Sequence, residues 1–205
     1  MADSLVDQNT LIYREMMAHI PLFAHRNPKT IAIWDDNDRG IAEESLKHPT
    51  LGTVWHNVPR HNRIINPRLH YFEKSMNDFL TQTEKNSLDI LIIGSLTKTN
   101  FNHCMNALHP DGILIQQCES FFDLIALKNI QQQLQSAGFS DILPINFPQS
   151  HAAVMAIKEG TIKYPREKDI FNKSFTTTYY NFDVHKAAFA LPEFMREALH
   201  GRSDG

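Results

Sequence analysis

The chain has 205 residues, 42% hydrophobic and 21% charged, which is enough apolar material for one globular core. Its 20 Lys+Arg against 23 Asp+Glu give a formal charge of −3, so no basic excess marks a nucleic-acid surface. No apolar run approaches the roughly 20 residues that a membrane helix needs, and the acidic opening Met1-Ala2-Asp3-Ser4 is unlike a signal peptide.

Residues 11–20 have helical spacing, with Ile12, Met16 and Ile20 on one face. Pro21 and Pro28 bracket a connection, so 1–28 reads as a short N-terminal segment ahead of a main domain over 29–205. The apolar run 30–34 then ends in Asp35-Asp36-Asn37-Asp38-Arg39-Gly40 and enters a helix over 41–48. Strand, tight turn, helix is the opening unit of nucleotide-binding α/β sheets, with the ligand over the turn. Glycine usually fills such turns, because it allows positive φ and close approach of the backbone to the ligand. Asp and Asn also tolerate left-handed backbone, but their side chains enter the space above it. Asp35, Asp36 and Asp38 therefore have two readings: a solvated helix start in which one acid serves as N-cap, or a cation site.

Strands are expected over 53–58, limited by Pro59, and over 69–72, with an amphipathic helix over 75–83. The run 88–94 is continuously aliphatic apart from Asp89, as in a central parallel strand buried on both faces. A helix over 101–108 leads into the turn sequence Pro110-Asp111-Gly112 and a strand over 113–118. A long helix over 124–137 stops at Gly138, strands over 142–147 and 152–157 pair antiparallel, and a last helix covers 192–199. Residues 163–168 read as a solvated mixed-charge stretch. Alternating strands and helices imply a doubly wound, mostly parallel sheet covered on both faces. The two cysteines, Cys104 and Cys118, form no C-x-x-C pair and read as packing residues of a cytoplasmic protein. The 11 histidines include no H-E-x-x-H, and His103-Cys104 has no partner motif, so no metal is expected.

The tail Tyr179-Tyr180-Asn181-Phe182-Asp183-Val184-His185-Lys186-Ala187-Ala188-Phe189-Ala190-Leu191-Pro192 resembles the Y-Y-N-x-x-x-H-x-A-A-F-x-L-P signature of the polyamine aminopropyltransferases, typified by spermidine synthase. Tyr13-Arg14-Glu15-Met16-Met17-Ala18-His19-Ile20-Pro21-Leu22 is similar to that family's Y-H-E-M-x-x-H-x-P-L segment. His109-Pro110-Asp111-Gly112-Ile113 and Gln117-Cys118-Glu119-Ser120 also match. The resemblance runs from about Leu11 to Leu199 and implies a Rossmann-like fold of the class I methyltransferase type. The family's N-terminal β-domain, which precedes this segment, is largely absent from the sequence.

The resemblance further implies transfer of an aminopropyl group from decarboxylated S-adenosylmethionine to putrescine, giving spermidine and methylthioadenosine. The donor is a substrate, and no cofactor is implied. The attacking amine must be neutral, whereas an alkylamine has a pKa of roughly 10.4. The family places an acid at the end of the 88–94 strand to hold the amine and help deprotonate it. That position is Gly94 here, which has no side chain. The glycine-rich G-G-G-D-G turn aligns with 35–39 and keeps only Asp38. The ribose-gripping acid aligns with Val58, the adenine-side D-G pair with Ser75-Met76, and the acceptor-binding histidine with Arg14.

Tyr13, Asp38, Gln117, Tyr179 and Tyr180 are the candidate substrate-binding residues. Gln117 equally fits a strand-end backbone bond, and Tyr179 and Tyr180 equally fit packing of the tail. Glu119, near the carboxyl end of the sheet, is a further candidate for the lost acid. Two functions remain in view: a diverged aminopropyltransferase, or a catalytically inactive homologue serving as a subunit, scaffold or polyamine-binding module. The expected partners are putrescine or spermidine, a nucleoside and a second copy of the chain, with no nucleic acid and no membrane.

Overall fold

The computed structural model describes residues 7–35, 39–94, 99–148, 152–162 and 165–200. In chain order these form α1 (Gln8–Ala24), β1 (Thr30–Trp34), α2 (Gly40–Leu46), β2 (Thr53–Asn57), β3 (Leu69–Tyr71), α3 (Met76–Gln82), β4 (Leu88–Ile93), α4 (Phe101–Ala107), β5 (Leu108–Cys118), α5 (Leu124–Ala137), β6 (Asp141–Asn146), β7 (Ala152–Ile157), α6 (Glu167–Phe171), α7 (Phe182–Ala188) and α8 (Glu193–His200). The short helices α6 and α7 have no counterpart among the elements expected from the sequence. Glu167 and Lys168, from the stretch read as solvated and mixed in charge, are exposed and start α6, which anchors itself through buried Ile170.

Among the described residues the strands form one sheet in the order β3-β2-β1-β4-β5-β7-β6. The pairs from β3 to β5 are parallel, while β7 runs antiparallel to both β5 and β6. The chain winds outward from β1 in one direction and from β4 in the other, so the order reverses at the β1–β4 seam. Ligands of open α/β sheets bind beyond the carboxyl ends of the strands at such a reversal.

Strand alternation sends successive side chains to opposite layers. Ile31 and Ile33 of β1 join Ile90, Ile92 and the α1 residues Met16, Met17 and Ile20 in one core. Ala32, Leu91 and Ile93 face a second core with Leu80 of α3, Cys104 of α4, and Leu127 and Leu134 of α5. Every residue of β4 is buried, as its continuous apolar run requires. The one acid in that run is satisfied: Asp89 accepts from the backbone N–H groups of Lys29 (2.7 Å) and Thr30 (2.8 Å), which ties the start of β1 to β4. The turn expected at 110–112 lies instead within β5. Leu88 pairs with Leu108 but Ile90 with Ile113, so two steps along β4 match five along β5 and the excess bulges outward. Gly112 suits that bulge, because a Cβ there would lie 2.8 Å from the carbonyl oxygen of His109.

Candidate functional site

At the reversal, β1 and β4 end side by side. Trp34 pairs with Ile93, and the N–H of Gly94 donates to the carbonyl of Trp34 at 2.7 Å. The next residue of β1, Asp35, therefore lies beside Gly94. Asp35 is only 1% exposed. A Cβ built on Gly94 would lie 3.0 Å from Cγ and 3.1 Å from Cβ of Asp35, and 2.8 Å from Oη of Tyr13. The room that a side chain at position 94 would need is thus filled from β1 and α1. This corrects the reading of Asp35 as part of a solvated helix start. The N-cap position of α2 is Arg39, which makes no side-chain cap bond. Asp36 and Asp38 lie outside the described residues.

Helix α1 supplies the other side of the site. Successive residues of an α-helix are about 100° apart, so Tyr13 and Arg14 are aimed at different elements. Tyr13 Oη stands 2.9 Å from the Gly94 carbonyl oxygen and 2.9 Å from the side-chain amide of Gln117 near the end of β5. A phenol has one proton. Both contacts are satisfied when Tyr13 donates to Gly94 O and the Gln117 amide, turned so that Nε2 faces the phenol, donates to Oη. Arg14 turns toward the start of α2. A Cβ on Gly40 would lie 2.1 Å from its Cδ and Nε and 2.7 Å from its Cζ. The arginine at the family's acceptor-binding position thus extends to the β1–α2 side of the crevice, where the nucleotide-binding turn of this fold type lies.

Glu15, the next residue of α1, is 2% exposed. Its carboxylate accepts three successive backbone N–H groups, from Thr178 (2.7 Å), Tyr179 (2.9 Å) and Tyr180 (2.8 Å). A buried carboxylate held this way is compensated, and it fixes the C-terminal tail to α1. Tyr180 continues into the core. Its ring stacks on Phe23 at 5.6 Å, and its hydroxyl meets His185 Nδ1 at 2.7 Å. Burial pushes the Tyr180 phenol up and the His185 imidazole down to about 4, so both stay neutral. Beside them Glu44 accepts from His19 Nε2 (3.1 Å), which leaves His19 Nδ1 to accept from His48 Nε2 (2.9 Å). Burial lowers both of these histidines, His48 to about 3.

Of the candidates named from the sequence, the structure brings Tyr13 and Gln117 together around Gly94. Tyr180 is a core residue, and Tyr179 is half-buried with its backbone on Glu15. Val58 is buried just beyond β2 and Met76 is buried in the second core. The Ser75 hydroxyl is occupied as N-cap of α3, accepting from Asp78 N at 3.1 Å and donating to Asp78 Oδ2 at 2.6 Å. Sequence reasoning missed the burial of Asp35, the Arg14–Gly40 contact and the role of Glu15. An acid within a helix carries no signal of burial, because its partners here are 163 to 165 positions away. Among the described residues no group of three His, Cys, Asp or Glu side chains gathers to hold a metal, and no helix is long and apolar enough to cross a membrane.

Comparison with known proteins agrees with this architecture. A family model described as the spermine/spermidine synthase domain matches residues 10–58, which span α1, the β1–α2 unit and β2. A polyamine aminopropyltransferase of Thioalkalivibrio sulfidiphilus is 32% identical over 96% of this chain and 81% of its own length. One from Halorhodospira halophila is 30% identical over 94% and 81%. The crystal structure of spermidine synthase from Thermotoga maritima superposes with a TM-score of 0.83 at 25% identity, covering 95% of this chain and 76% of that one. A spermidine synthase in complex with the transition state analogue AdoDATO shares the fold, with a TM-score of 0.82 at 23% identity. On sequence identity and coverage together, with a Rossmann-like sheet beneath, the chain belongs to the polyamine aminopropyltransferase (spermidine synthase) family.

Proposed function

We propose that this protein is a member of the family that does not transfer the aminopropyl group, retained as a subunit or as a polyamine-binding module. One observation carries the reading. The space where an acid at position 94 would project is already filled by Tyr13 Oη and the buried Asp35 carboxylate. Transfer needs an acid that can hold and deprotonate an incoming amine, together with an open volume for the donor beside it. Here the carboxylate in that volume is buried, and the residue beside the amine path has no side chain. Val58, Ser75 and Met76 are engaged in burial or capping rather than presented toward a nucleoside. The resemblance also makes a homodimer the proposed assembly, which light scattering at micromolar concentration tests.

The same observation favours a second reading, in which Asp35 has taken over the task of the missing acid from the neighbouring strand. The two readings separate in one assay. The purified protein is incubated with decarboxylated S-adenosylmethionine and putrescine beside an active homologue, and spermidine and methylthioadenosine are measured. The proposal expects no product above the protein-free background. Product formation that disappears in Asp35→Asn would replace it with the second reading.

A further inference from the structure

We propose that Arg14 is a built-in occupant of the crevice at the β1–β4 seam, and that its side chain excludes a nucleoside from the start of α2. This rests on the reading that the chain does not catalyse transfer, and it adds which residue closes the site. In nucleotide-binding α/β folds the ligand lies over the β1–α2 turn, close to the start of the helix that follows, where a residue without a side chain leaves room. Gly40 stands at that helix start, and it is buried. Its open face is taken by Arg14, whose Cδ and Nε would stand 2.1 Å from any Cβ placed there. The glycine is therefore matched to a side chain of the protein itself.

The helix that carries the occupant is anchored on both sides of it. Tyr13, on its N-terminal side, is bonded to Gly94 of the β4 end and Gln117 of β5. Glu15, on its C-terminal side, holds three backbone N–H groups of the tail. Three consecutive residues of α1 thus reach three different parts of the fold, and the backbone of Arg14 is held from both sides. A nucleoside competing for this volume must displace the arginine side chain without help from helix movement.

The test is Arg14→Ala in the full chain, with Arg14→Ser as a second variant that keeps a short polar side chain. Methylthioadenosine binding is measured by calorimetry on wild type and both variants. The expected result is an affinity about tenfold or more above wild type in whichever variant keeps the wild-type melting profile. Unchanged or weaker affinity in a folded variant overturns the proposal. A second measurement is independent of any ligand: Gly40→Ala must push the Arg14 side chain aside, so its effect on the melting temperature is expected to be less favourable in wild type than in the Arg14→Ala background. Equal effects in the two backgrounds overturn the contact on which the proposal stands. Turnover by the wild-type protein would instead overturn the functional reading. A variant that gains nucleoside binding but forms no product supports both.

Discussion

Asp35 and Gly94 stand side by side across the β1–β4 seam, with the Asp35 Cγ only 3.0 Å from where a Cβ on Gly94 would be. The two positions are therefore coupled: an acid on one strand excludes a side chain on the other. Restoring an acid by Gly94→Asp alone is expected to cost about 1–3 kcal/mol, the usual range for overpacking a closed site, with a like-charge penalty in addition. Denaturant unfolding of the single variant and of Asp35→Gly/Gly94→Asp tests this. The double variant should recover most of the loss, and additive losses would contradict the coupling.

Glu15 binds the tail through three backbone N–H groups. Glu15→Gln keeps one acceptor oxygen and turns an NH2 group toward N–H donors, so at least one buried donor loses its partner. Hydrogen bonds to charged groups are worth roughly 1.5–3 kcal/mol each, and the expected loss is on the order of 2 kcal/mol. Hydrogen exchange should show the amides of residues 178–180 losing protection first. Unchanged protection there would mean that the tail is held by its aromatic contacts alone.

Acid should weaken the fold through its buried histidines. In the folded state burial holds His48 at about 3 and His185 at about 4, against an ordinary value of 6.5. The neutral forms are the folded ones, and between these values the unfolded chain binds more protons. Their contribution is complete above pH 6.5 and is lost as pH falls toward 4 and then 3. The slope is about 1.4 kcal/mol per pH unit for each histidine within its window. Unfolding free energy measured from neutral to mildly acidic pH gives this slope, and His48→Phe should reduce it. A flat profile would show that these rings are hydrated in the folded protein.

Burial pushes the thiols of Cys104 and Cys118 up to about 12, so neither forms appreciable thiolate at neutral pH. Native protein should react with a thiol reagent only as fast as it opens, and both groups should titrate at once in denaturant. Rapid modification of either in native buffer would contradict its placement in the second core.

A polyamine should bind weakly and in a salt-sensitive manner, whereas methylthioadenosine should bind wild type more weakly still. The acidic run Asp35, Asp36 and Asp38 attracts a cation, whereas Val58 and Ser75 offer no partner to a ribose or an adenine. Calorimetry with spermidine and with methylthioadenosine at low and high salt checks the order and the screening. Tight nucleoside binding by wild type would reverse it.

The sequence by itself determined most of the local elements and the doubly wound, mostly parallel class of the sheet. Apolar runs such as 31–34 and 88–93 carry their own periodicity, turn residues mark where they end, and the Tyr179–Pro192 signature placed the whole chain in a known architecture. The β5 bulge was not legible, because Pro110-Asp111-Gly112 has the same local chemistry in a turn as in a strand irregularity. Its partner strand decides between them. The site was legible as a set of losses: a glycine at 94, acids in place of the glycine-rich turn, an arginine at 14. What replaced them was decided only by tertiary structure. Asp35 is buried because parallel pairing sets it beside Gly94, Arg14 covers Gly40 because α1 crosses the start of α2, and Glu15 is satisfied by backbone more than 160 positions away. Side-chain chemistry is written residue by residue, but desolvation and steric exclusion depend on which distant residues share the same space.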